Sequence, residues 1–174
     1  MQFQTDYPGA VAAFKGEACF TLDYSRDRLL HCLKQLDAEQ IWQRPHPAMN
    51  AVGNIVLHVS GNLRQWITVG CDPMESMPDD RDRPAEFAAA RDNPVASTPT
   101  ELADHLRVAV DDAKDIIESL NKDNLLEPRN IQGFDVTGMG AVWHSVSHLE
   151  GHAQETIFAT RLLLGDAYRF KDQY

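Results

Sequence analysis

Three histidines stand four residues apart in His144-Ser-Val-Ser-His148-Leu-Glu-Gly-His152, within a stretch that reads as one long helix. A helix turns about 100° per residue, so residues four apart lie one above the other on nearly the same face. Two imidazoles placed in this way can grip a single metal ion. His144 and His152 are separated by roughly 12 Å of helix rise, whereas nitrogens held at ~2.1 Å from a common ion lie within about 4 Å of each other. The three therefore cannot share one ion on a straight helix. One adjacent pair supplies ligands, and at least one more ligand must come from elsewhere in the chain.

Four segments carry the helical periodicity needed to position such a site: about Phe14 to Leu36, Val52 to Gly70, Thr100 to Leu120 and Gly138 to Leu164. In the first, Leu22, Leu29, Leu33 and Leu36 repeat at three, four and seven. The pattern predicts an all-α four-helix bundle in a single domain spanning 1–174. Thr98-Pro99-Thr100-Glu101 can cap and start the third helix, Gly70 can end the second, and Gly165 lies where the fourth should stop. The link from Cys71 to Pro99 is about thirty residues long and carries five prolines. A link of that length suggests a crossover that lets two successive helices run parallel. A short helix around Pro84–Arg91 fits inside it. Before the fourth helix, β-branched and aromatic residues flank Gln132-Gly133, a pattern that permits a small hairpin.

The 174 residues suit one domain that folds without a disulfide or metal staple. Cys19, Cys32 and Cys71 are odd in number and form no Cys-x-x-Cys pair, so they read as reduced thiols in a cytoplasmic protein. No basic, apolar leader and no apolar run of about 20 residues is present, which argues against secretion and membrane insertion. A net charge of −10 repels phosphate backbones and argues against nucleic acid as a partner.

The fourth helix has an apolar stripe of Val142, Val146, Leu149, Ala153, Ile157 and Leu164, with His148, His152 and Glu155 along its edge. On the second helix His58 shares a face with Asn62 and Gln65, an unusual mixture for a plain core. Hydrogen-bonded core histidines and solvent-facing amides are the competing explanation. His31 lies among Arg26, Arg28 and Lys34 and is expected to reach water, and His46 and His105 are expected at the surface.

The segment Asn50-Ala-Val-Gly-Asn-Ile-Val-Leu-His58-Val-Ser-Gly-Asn62-Leu-Arg-Gln-Trp66, followed by His148-Leu-Glu-Gly-His152-Ala-Gln154, resembles the DinB/YfiT-like metalloprotein superfamily. The resemblance extends over nearly the whole chain, including the closing Leu-Leu-Leu-Gly-Asp-Ala-Tyr-Arg-Phe. It implies a four-helix bundle with a long crossover between its second and third helices, and a divalent metal held by three histidines. His58 matches the ligand on the second helix, His148 and His152 match the His-x-x-x-His pair on the fourth, and His144 lies outside the motif. Where the superfamily often has His-x-Gly-Gln, this chain has His152-Ala-Gln154; alanine suits a helix better than glycine, so the departure does not threaten the site. Members include transferases and isomerases that use low-molecular-weight thiols such as mycothiol or bacillithiol, and proposed hydrolases.

Three neutral imidazoles leave a divalent ion its full charge and an open position, the arrangement of a catalytic site. Bound water or a bound thiol would lose its proton more readily there, so hydrolysis and thiol transfer both remain open. Imidazole nitrogens suit zinc, nickel, iron or copper, with zinc or nickel expected. Asn62, Gln65, Gln154 and Glu155 are candidates to surround the ligands or bind a cofactor, while Glu150 should face solvent. The reading is a metal-dependent transferase or hydrolase acting on a small molecule, expected as a homodimer. A non-catalytic metal-binding or interaction bundle is the alternative.

Overall fold

The structure is a computed structural model and describes residues 4–91 and 97–170. Its elements are α1 (Ala10–Leu33), α2 (Val52–Leu63), α3 (Arg83–Ala88), α4 (Pro99–Ser119), α5 (Lys122–Leu126), β1 (Pro128–Ile131), β2 (Phe134–Thr137) and α6 (Gly138–Leu164). The four long helices α1, α2, α4 and α6 form the expected bundle. The short helix of the crossover is found at α3, and residues 92–96 of that link lie outside the described residues.

α1 packs against α4 and α6, and α2 packs against the same two, so α1 and α2 occupy opposite corners. Side-chain pairs give the directions. Lys15, early in α1, donates to the carbonyls of Glu118 and Leu120 at the far end of α4, so these helices are antiparallel. His58 meets His148, and Asn62, one turn later in α2, meets Ser145, earlier in α6; these helices are antiparallel too. Arg28 meets Gln154 and His31 bonds the carbonyl of Arg169, which makes α1 and α6 parallel. It follows that α2 and α4 are parallel, as the long crossover between them requires.

Apolar residues at helical spacing fill the centre, among them Leu22, Leu29, Val56, Leu106, Val110 and Ile117, all fully buried. α2 does not continue as a regular helix to Gly70. Arg64–Val69 form a π turn, with the N–H of Gly70 donating to the carbonyl of Gln65 at 3.0 Å. The inserted residue changes the helix phase, and Val69, eleven residues after His58 and so on its face in a regular helix, is only half-buried. Gly70 does stand at the end, for a reason of space: a Cβ there would lie 2.6 Å from the side chain of Ile131 in the hairpin. That hairpin pairs Ile131 with Phe134 across Gln132 and Gly133, whose φ values of 54° and 81° match the two positive φ angles of a type I′ turn.

Thr98 and Glu101 cap α4 reciprocally: the threonine hydroxyl oxygen accepts from the N–H of Glu101, and the glutamate accepts from the N–H of Thr98 at 2.7 Å. Thr98→Ala is expected to cost about 1 kcal/mol, read as a lower urea midpoint at unchanged slope.

Candidate metal centre

His58 on α2 and the pair His148 and His152 on α6 come together where the two antiparallel helices face each other. Each offers one ring nitrogen, and these nitrogens all lie within 4.8 Å of one another. The closest pair, Nε2 of His58 and Nε2 of His148, is 3.2 Å apart. Nitrogens bound at ~2.1 Å in a tetrahedral site would be about 3.4 Å apart, so the nest needs only small ring movements to accept a divalent cation.

Carboxylates fix the orientation of two of the rings. Nδ1 of His58 lies 2.9 Å from Oε2 of Glu86, and Nδ1 of His152 lies 2.6 Å from Oε2 of Glu155. An ionised carboxylate only accepts, so each of these contacts calls for a hydrogen on Nδ1 and leaves the Nε2 lone pair free to ligate; at His58, Nη2 of Arg81 also lies 3.1 Å from Nδ1. His148 has no such carboxylate, and its Nδ1 is buried without a hydrogen-bond partner among the described residues. Burial, the neighbouring His152, His58 and His144 and the charge of Arg81 push its pKa down to about 3, so the ring is neutral at pH 7. Neutral imidazole is the ligating form, and the donor set fits a divalent metal.

Glu86 comes from α3 and is buried against α2. Burial alone would raise its pKa, but the hydrogen bonds from His58 and Arg81, together with the Arg81 charge, hold the carboxyl below its usual range. Arg81 grips it with two bonds, Nε to Oε1 at 2.7 Å and Nη2 to Oε2 at 3.0 Å. Its Nη1 donates to Oε1 of Gln65 at 3.0 Å, and Nη2 also reaches the carbonyl of His58 at 3.2 Å. Gln65 in turn donates to Asp79 and accepts from Gln132 at the hairpin turn. Gly61 makes the close approach feasible, since a Cβ there would collide with Oε1 of Glu86.

The other expected residues divide. Asn62 is buried one turn from His58, accepts from the hydroxyl of Ser145 at 2.7 Å and lies 3.5 Å from Nε2 of His144. Glu155 braces His152, and that bond outweighs burial to lower its pKa. Gln65 reaches the site through Arg81. Gln154 is exposed and accepts instead from Arg28 at 3.0 Å. Glu150, His46 and His105 are exposed, as expected. His31 is half-buried and still reaches water; its ring bonds the carbonyl of Arg169 at 2.6 Å and meets Tyr168 edge-on, because the chain after α6 folds back over α1. His144 stays out of the nest and lies flat on Trp66, with ring centroids 3.9 Å apart. The roles of Arg81 and Glu86 are not legible in the sequence: Glu86 lies within the expected short helix and Arg81 just before it, but no periodicity signals that its inner face bears a carboxylate.

Replacing His58, His148 or His152 by alanine is expected to strip bound zinc, whereas His144→Ala should retain it. Metal analysis after dialysis measures this, and zinc loss in the His144 variant with none in His58→Ala would overturn the assignment. Glu86→Ala is expected to weaken zinc binding by about 10- to 100-fold in a competition titration.

A family model described as Mycothiol-S-transferase matches residues 20–154, a span that contains all three histidines. No curated protein sequence matches the chain. Among solved structures, a conserved protein from Enterococcus faecalis is 18% identical and superposes with a TM-score of 0.66, covering 86% of this chain and 96% of the other. A mycothiol-dependent maleylpyruvate isomerase is 14% identical with a TM-score of 0.62, covering 80% of this chain; this chain spans 59% of the isomerase. At these identities both establish the fold. The family match, which covers well over half of the sequence, establishes more: the chain belongs to the mycothiol-S-transferase family.

Proposed function

We propose that this protein is a metal-dependent S-transferase in which His58, His148 and His152 hold one divalent cation, zinc or nickel, and a low-molecular-weight thiol supplies the sulfur. The observation that carries this reading is the convergence of three imidazoles, two of them held at Nδ1 by carboxylates, in a chain of this family. A bound divalent ion would supply positive charge and an open position at which a thiol loses its proton near neutral pH.

The chain's own cysteines support an external thiol. Burial pushes Cys19 and Cys71 up to about 11, and burial also raises Cys32, so all three stay protonated at pH 7. None is a competent nucleophile in that state. Glu86 and Glu155 keep the ligand rings in register, Arg81 and Gln65 keep Glu86 in place, and Asn62 orders the α2–α6 contact beside the nest. In the transfer, a carbon–sulfur bond forms as the bond from that carbon to its leaving group breaks, and the thiol proton departs with the leaving group.

Addition of mycothiol to the cobalt-substituted protein is expected to produce a sulfur-to-cobalt charge-transfer band, absent in His58→Ala. Turnover of an electrophile by the zinc form should depend on added thiol. Activity that needs no thiol and rises with pH through an apparent pKa near 7 would instead identify hydrolysis.

A homodimer belongs to the same reading. Phe158 and Leu162 are exposed one turn apart towards the end of α6, an apolar step suited to a two-fold partner. Sedimentation at micromolar concentration is then expected to give twice the 19.5 kDa chain mass.

A further inference from the structure

A run of rings leads away from the histidine nest towards the hairpin. His148 and His144 are 5.7 Å apart and tilted by 28°; His144 and Trp66 are 3.9 Å apart and tilted by 29°. Phe134, on β2, lies 6.3 Å from Trp66 at 32°. The indole is the floor of this run at 3% exposure, while His144 is exposed and Phe134 is 61% exposed. Burying these two rings would be favourable, yet the fold leaves them open, His144 next to His148 and Phe134 next to Trp66. Two polar atoms of the run, Nε1 of Trp66 and Nδ1 of His148, are also buried without a hydrogen-bond partner among the described residues.

We propose that the Trp66, His144 and Phe134 stack is the shelf on which the electrophilic substrate lies, and that the substrate carries a flat apolar group, aryl or conjugated alkenyl, next to its reacting carbon. This assignment of substrate class rests on the open coordination position proposed above. Ring faces favour flat partners by offset stacking. No charged side chain belongs to the stack, and a chain with a net charge of −10 does not attract an anionic substrate from a distance. A neutral, flat electrophile therefore fits better than a carboxylate.

Two metal-binding probes that differ only in a ring test the shelf. Benzohydroxamate and acetohydroxamate present the same head group to the zinc-loaded protein, and only the first can stack. Benzohydroxamate is expected to bind about 3- to 10-fold more tightly by isothermal titration. Phe134→Ala and His144→Ala should each reduce that preference while zinc content stays at the wild-type level. Phe134 is exposed, so its variant reports on the shelf even if His144→Ala perturbs Trp66. Equal affinity for the two probes in the wild-type protein, or a preference that survives both substitutions, overturns the shelf alone. Failure of both probes to bind a protein that retains zinc overturns the open-position reading together with it.

Discussion

The hydrogen bond from Nδ1 of His58 to Glu86 is the contact on which the arrangement of the centre depends. It commits the proton of the only nest histidine on α2 and turns the other nitrogen towards α6. A carboxylate buried to do this would be costly alone, so Arg81 closes on it with two bonds. The side chain of Arg81 is itself 4% exposed and must be satisfied in turn, which Gln65 and the carbonyl of His58 achieve. A buried pair of this type contributes little net stability compared with apolar residues of the same volume, while removing one partner strands the other. The pair is better understood as geometry: it transmits the position of the crossover to the orientation of one imidazole.

The topology explains why the crossover can do this. Parallel α2 and α4 oblige the chain to travel back along the length of α2 and its π turn, roughly 27 Å for 18 helical residues. A return path of that length runs beside the helix it has just left. Residues 79–86 are thereby brought to Gln65, Gly61 and His58 in succession. In an up-down bundle with short loops, no such segment would exist, and His58 would need its carboxylate from a neighbouring helix. Gly61 is the corresponding concession on α2, a helix interior glycine that costs about 1 kcal/mol of propensity and leaves room for the Glu86 carboxylate.

What the sequence reveals follows from the range of each interaction. His148 and His152 are legible because four residues of helix set their spacing regardless of the rest of the fold. His58 is legible only with its amide-bearing face and the family resemblance, since nothing local ties residue 58 to residue 148. Arg81 lies in a proline-bearing link and Glu86 in the six-residue α3 that follows, too short for a period of 3.6 to indicate which side faces inward. The π turn is hidden too: Ile67, Thr68 and Val69 are three β-branched residues in a row, which lowers helix propensity but does not signal an inserted residue. Gln154 shows the limit of motif transfer, because its position six residues after His148 turns it away to Arg28.

Charge at the centre is consistent with the proposed chemistry. Three neutral imidazoles leave the two positive charges of a divalent cation intact. Arg81 cancels Glu86, so these two contribute no net charge. Glu155 would offset one charge of a bound cation from the far side of His152 and is partly open to water. One positive charge remains, which a single thiolate would neutralise. A second anion would then meet a neutral centre within a strongly acidic protein and gain little from approaching it. On the proposed reading the electrophile would be held by something other than charge, and the exposed faces of His144, next to His148, and Phe134, next to Trp66, offer such a surface.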